Sequence, residues 1–97
     1  MPEAVAQQSH HTHHELEIIV FAPRSPQPKE FTWPKTLKVG EAARQAATAF
    51  GYQGGNPGLQ TEGHPPRVLD NNKTLAEEHV HDHEKLELID TGGGVQF

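Results

Sequence analysis

The side chains with the most chemistry to offer in this 97-residue chain are its eight histidines. His10, His11, His13 and His14 are close together near the N-terminus, and their imidazole nitrogens are ligands for Zn²⁺, Ni²⁺ or Cu²⁺. The surrounding text, MPEAVAQQSHHTHH, has neither a helical nor a strand period, so nothing fixes a coordination geometry or orients the rings from behind. No physiological metal site is expected there. His79, His81 and His83 alternate, which in an extended segment puts them on one face beside Asp82 and Glu84. The expectation is a solvated polar loop. Covalent catalysis needs a nucleophile next to a base in a pocket. Serine occurs only at Ser9 and Ser25, and cysteine is absent. Glu41 and Arg44, three apart, are expected to form an ordinary exposed ion pair. No catalytic set is legible, and the chain is not expected to be an enzyme. The remaining chemical oddity is a run without side chains, Gly92-Gly93-Gly94, followed by Val95-Gln96-Phe97.

The elements that must position these groups follow from periodicity. Leu16, Ile18 and Val20 alternate with Glu17, Ile19 and Phe21, a β-branched and aromatic run that predicts a strand from Glu15. Pro23, Pro26 and Pro28 end it, because proline supplies no ladder N–H. Lys29–Trp33 predicts a second strand, forming a hairpin with the first. Phe31 and Trp33 share a face, either beneath a helix or on an exposed recognition surface. Val39, Ala43, Ala46 and Phe50 fall on one helical face, and Gly51 stands where a left-handed C-cap is wanted. Lys38 offers no capping acceptor, so Thr36 is the alternative cap. Leu59–Glu62 and Arg67–Leu69 predict short strands, Asp70-Asn71-Asn72 a turn, Thr74–Glu78 one helical turn with Leu75 and Val80 inward, and Lys85–Ile89 a final strand.

Composition bounds the rest. One small domain with a single core is expected from 97 residues that are 33% hydrophobic. A formal charge of −5 has the wrong sign for gripping a phosphate backbone, so nucleic acid is not an expected partner. Without cysteine there is no disulfide, thiolate metal site or thiol carrier. No apolar run has the ~18–20 residues of a membrane span, and Met1-Pro2-Glu3 does not open a secretory signal. A soluble, cytoplasmic protein, monomeric on its own, is expected.

The order strand, strand, helix, strand, short strand, helical turn, strand resembles the ubiquitin-like β-grasp family. The likeness is carried best by Leu69, Thr74-Leu75, Val80, Leu86 and Leu88, which are spaced as apolar or Thr-Leu positions are in ubiquitin, and it covers residues 15 to 94. Gly63–Pro66 looks like a small insertion. The resemblance implies an α+β fold, a mixed four- to five-stranded sheet wrapped on one α-helix. The domain would run over residues 15–90, with a His-rich tail at 1–14 and a C-terminal arm at 91–97.

What the resemblance implies about function rests on the glycines. Enzymes that activate such modifiers thread the C-terminus to ATP, form an acyl-adenylate at its carboxylate and let a thiolate attack, and residues without Cβ leave that path open. Gly92, Gly93 and Gly94 meet this need, on an arm shorter than ubiquitin's and without its arginines. Val95, Gln96 and Phe97 then resemble a precursor tail removed after Gly94, with Gly93 the alternative bond. Prokaryotic ubiquitin-like modifiers of bacterial conjugation systems are similar in this respect. The implied partners are an activating (E1-type) enzyme, a conjugating (E2-type) enzyme, a zinc-dependent deubiquitinase-type peptidase and protein targets. No cofactor is bound, and ATP is used by the activating enzyme. With Leu86 and Leu88 inward, Ile89 lies on the outer sheet face, where ubiquitin has its apolar docking patch. Ile89, with Asp90 and Thr91 beside it, is the expected partner contact. Two other readings stay open: a sulfur carrier with a C-terminal thiocarboxylate, a class that usually ends at Gly-Gly, and a non-conjugated β-grasp interaction module.

Overall fold

The computed structural model describes residues 15–52 and 55–91. Strand β1 (Glu15–Phe21) and strand β2 (Lys29–Pro34) form an antiparallel hairpin, with Leu16 opposite Trp33 and Ile18 opposite Phe31. Helix α1 (Val39–Phe50) follows, then β3 (Pro57–Thr61) and β4 (Lys85–Asp90). The four strands lie in the order β2-β1-β4-β3. β4 runs parallel to β1, with Val20 opposite Leu86, and antiparallel to β3, with Leu59 opposite Leu88.

The strand period decides which residues form the core. Leu16, Ile18, Val20, Trp33, Leu59, Leu86 and Leu88 all face α1 and are buried. Each such side chain contributes ~1.5–3 kcal/mol when fully withdrawn from water. The helix meets them with Val39, Ala42, Ala43, Ala46 and Ala47, whose small side chains let its backbone come close to the sheet. Leu75 and Val80 close one end of the core, as their spacing predicted.

Trp33 is beneath the helix and not on an exposed surface. Its indole N–H donates to Gln45 Oε1 of α1 at 2.9 Å, and its ring stacks on half-buried Phe31 at 4.7 Å between centroids. Gly51 ends α1 in the left-handed region at φ 82°, where a Cβ would be strained. At the other end, neither Lys38 nor Thr36 caps with its side chain. The first helical N–H groups are met by backbone instead, Val39 by the Lys73 carbonyl at 2.8 Å and Gly40 by Asn71 at 3.1 Å.

Two local expectations are corrected. The third strand begins at Pro57, not Leu59, because Pro57 and Gly58 continue the register opposite Asp90 and Ile89. Arg67–Leu69 is not a fifth strand. Only Val68 bridges to Gln60, flanked by backbone bonds from Thr61 N to Arg67 O and from Leu69 N to Leu59 O. The 79–83 segment is a pair of tight turns with His79 at φ 63° and His83 at φ 65°, so the three imidazoles do not share an extended face. Thr74–Glu78 does make a helical turn, started by a reciprocal cap: Glu77 N–H donates to Thr74 Oγ1 at 3.1 Å and Thr74 N–H to Glu77 Oε1 at 2.9 Å.

Candidate functional site

The chain leaves the sheet at the end of β4, and that exit is held from one side by the loop before β3. Asp90 is the last paired residue, opposite Pro57. One step on, Thr91 donates twice to the Asn56 carbonyl, from its N–H at 2.8 Å and its hydroxyl at 2.9 Å. Asn56 returns its own N–H to Asp90 Oδ1 at 3.2 Å. The Thr91 methyl then lies over Gly58, where a Cβ would stand 2.4 Å from it. Glycine at 58 is required by this approach. Asp90 and Thr91, two of the expected contact residues, are therefore the root of the C-terminal segment. The glycines that follow, Gly92–Gly94, and Val95, Gln96 and Phe97 lie outside the described residues, as do His10, His11, His13 and His14.

Ile89 sits as expected on the sheet face that α1 does not cover, and it is half-buried there. Its neighbours on that face are not uniformly apolar. Glu87 accepts from Gln60 Nε2 across the β3–β4 pair at 2.9 Å, and Phe21 stands opposite Glu87 on β1.

The histidine loop is tied into the fold by hydrogen bonds. His83 N–H donates to the Glu17 carbonyl at 2.6 Å, its Nε2 lies 3.0 Å from Glu17 Oε1, and Asp82 Oδ1 accepts the Glu17 N–H at 2.7 Å. His81 N–H is taken by Glu84 Oε1 at 2.8 Å. Among the described residues no group of three or more metal-ligating side chains converges.

A shallow cleft of about 840 Å³ opens between the start of α1 and the Asn56 loop, lined by Thr36, Lys38, Glu41, Arg44, Asn56 and Asn71 among others. Glu41 and Arg44 are ion-paired on its rim, as their spacing predicted. Among the described lining residues no hydroxyl is hydrogen-bonded to a carboxylate or an imidazole. Asn56 and Gly58, the residues that hold the root, were not singled out by sequence. Asn56-Pro57-Gly58 carries only a loop signal, and the bonds it makes use main-chain atoms that any residue has.

No protein-family model matches the chain, and no curated protein matches it. Solved structures do. A ubiquitin from Caldiarchaeum subterraneum superposes with a TM-score of 0.67 at 21% identity, over 84% of this chain and 99% of that one. A chain from a structure on molecular mimicry of SUMO in DNA repair superposes with a TM-score of 0.68 at 17% identity, over 84% and 98%. A ubiquitin-like domain from tubulin-binding cofactor B does so with a TM-score of 0.64 at 15% identity, over 87% and 98%. The fold is the ubiquitin-like β-grasp, a mixed four-stranded sheet with one helix, as the resemblance implied.

Proposed function

We propose that this protein is a ubiquitin-like modifier precursor whose working part is the segment leaving β4. A peptidase, of the zinc-dependent deubiquitinase type, cuts after Gly94 and releases the Val95-Gln96-Phe97 tail. An activating enzyme adenylates the freed Gly94 carboxylate with ATP and releases pyrophosphate. A cysteine of that enzyme displaces AMP to give a thioester, which passes to a cysteine of a conjugating enzyme and then to an amine or hydroxyl of a target. Every catalytic group belongs to the partners, and the reactions take place in the cytoplasm of a bacterial host. Ile89, Asp90 and Thr91 are the contact residues nearest the arm.

The observation that carries this reading is the hydrogen-bonded root: Thr91 is fixed to Asn56, and the three glycines come directly after it. A root so held gives the segment that follows a fixed starting point on the folded domain, which suits an enzyme that binds the domain and acts on the end. The test is the intact mass of the full chain after incubation with ATP-supplemented lysate of its native host. Loss of Val95-Gln96-Phe97 with heavier protein adducts is expected, and replacing Gly93 and Gly94 by bulky residues should abolish the adducts. An uncut mass, or unimpaired conjugation by the glycine variants, would sink the proposal. A terminus converted to thiocarboxylate would point to sulfur carriage. An unprocessed interaction module is the second reading, favoured by the match to a ubiquitin-like domain of tubulin-binding cofactor B.

A further inference from the structure

The last strand is held unequally along its length. β1 pairs with β4 only from Lys85 to Glu87, opposite Ile19, Val20 and Phe21, so Leu88, Ile89 and Asp90 are paired with β3 alone. Their partners there weaken toward the exit: after Leu59 come Gly58, with no side chain to pack, and Pro57, with no N–H to give. In an antiparallel ladder, hydrogen-bonded pairs alternate with unbonded ones. Thr91 N–H donates to the Asn56 carbonyl, which makes Ile89–Gly58 and Glu87–Gln60 the bonded pairs and leaves Asp90–Pro57 unbonded. The Pro57 carbonyl accordingly turns away from β4 and accepts Asn71 Nδ2 at 3.1 Å.

This end of the strand is bounded on both sides. At its outer limit the Thr91 N–H and hydroxyl share one acceptor, the Asn56 carbonyl, at 2.8 and 2.9 Å, and Asn56 N–H goes to Asp90 Oδ1 at 3.2 Å. Parting Asn56 from the strand therefore loosens all of these together. At the inner limit stands Leu88, fully buried, whose withdrawal would put a whole leucine into water, whereas Ile89 and Asp90 are half-buried and Thr91 is exposed. The side-chain bond from Gln60 to Glu87 lies inside that limit and stays with the closed part of the sheet. Opening thus runs from Thr91 back to Ile89 and stops at Leu88. With Thr91 held, Gly94 can stand no more than three residues away from it, ~11 Å of fully extended chain. With Leu88 as the last fixed residue the limit is six residues, ~22 Å.

We propose that Ile89, Asp90 and Thr91 form a latch that opens as one unit and turns a short C-terminal arm into a long one. Closed, it fixes the start of the arm at Thr91. Open, it gives up the Ile89–Gly58 pair and the ties to Asn56, and doubles the distance the third glycine can reach from the folded sheet. Use of the longer arm by an activating enzyme rests on the modifier reading above. The opening itself belongs to the folded domain and is measured with no partner present.

The test is amide hydrogen exchange of the ¹⁵N-labelled full chain followed by NMR, under conditions where the rate rises in proportion to hydroxide and protection reports the opening equilibrium. Ile89 and Thr91 should exchange through one opening, with protection factors within about twofold of each other and at least ~tenfold below that of Glu87. Thr91→Val keeps the methyl over Gly58 and removes the hydroxyl donor. It should speed Ile89 and Thr91 together by about two- to tenfold, the worth of one hydrogen bond, and leave Glu87 unchanged. Ile89 as protected as Glu87 would overturn the latch, since the strand would then open only with the sheet. An effect of Thr91→Val confined to Thr91 would overturn it as simple fraying, and equal acceleration of Glu87 would overturn it as a loss of global stability. None of these outcomes bears on whether the terminus is cut and conjugated, which the intact-mass measurement decides.

Discussion

The closest backbone approach at the root of the arm gives a quantitative test. Gly58→Ala adds a Cβ that would lie 2.4 Å from the Thr91 methyl, while its other neighbours, Asn71 Oδ1 at 3.6 Å and Ile89 Cγ1 at 3.7 Å, are at ordinary contact distance. Two opposing effects decide the sign. Replacing a strand glycine lowers the entropy of the unfolded chain and favours folding by ~0.5–1 kcal/mol. Against this, a forced contact in a packed place costs ~1–3 kcal/mol. Thr91 has little room to turn away, since both its N–H and its hydroxyl are committed to the Asn56 carbonyl, and rotating the hydroxyl off gives up a bond worth ~0.5–1.5 kcal/mol. The net expectation is a loss of roughly 0.5–2 kcal/mol, with Tm falling by ~4–8 °C per kcal/mol for a chain of this size. The decisive measurement is a double-mutant cycle in urea. Thr91→Ser keeps the hydroxyl and removes the methyl, so in that background Gly58→Ala should be neutral or slightly stabilising, a coupling of ~1 kcal/mol or more. An equal loss in both backgrounds would refute the reasoning, because the strain would then not lie between Gly58 and Thr91.

Four further outcomes follow from contacts elsewhere in the chain. Gln45→Ala removes the acceptor of the buried Trp33 indole and should cost ~1–3 kcal/mol. A red shift of the emission of this single tryptophan, or its absence, checks it directly. Glu78 holds the Arg67 guanidinium with one carboxylate oxygen and the Asp70 N–H with the other, so Glu78→Ala should lower stability by ~1–3 kcal/mol. Glu41→Ala, which breaks only an exposed helical ion pair, should change it by less than ~0.5 kcal/mol in a parallel urea titration. Gly94→Asp should leave Tm unchanged, since glycine has no side chain to withdraw from the core. A melting curve shifted by several degrees would show that the arm contributes to the fold.

What could be read in the sequence was whatever depends on side-chain period. Leu16-Ile18-Val20 and Leu86-Leu88 alternate because one sheet face is buried, and the Ala face of α1 with Gly51 behind it carries its own signal. The start of β3 was hidden because proline and glycine argue against a strand. Here Pro57 is tolerated as the first residue of an edge strand, and Gly58 serves the approach of Thr91. Val68 looked like part of a strand, but Pro65-Pro66 before it and the Asp70 turn after it leave room for one bridge only. The left-handed turns at His79 and His83 carry no periodic mark at all. The root of the arm was half legible. Ile89, Asp90 and Thr91 could be placed by counting from Leu88, whereas Asn56 acts through its carbonyl and N–H, which no residue type announces.

The position of β4 in the sheet explains why the arm is rooted there. A strand with a partner on each side opens only when the sheet does, while an edge strand frays at lower free energy. β4 lies between β1 and β3, and Leu86 and Leu88 are fully buried. β2 and β3 are the edges. Residues placed after an edge strand would share its local opening, and their position relative to the domain would blur. After β4, they follow a strand paired with both neighbours at Leu86 and Glu87 and with β3 alone from Leu88 to Asp90, and Thr91 adds its tie to Asn56. Slow amide exchange should therefore be deepest at Leu86 and Glu87 and fall off from Leu88 toward Asp90, with Thr91 N–H protected by its bond to Asn56. For the proposed modifier, that ordering gives the segment after Thr91 a fixed starting point on the folded domain.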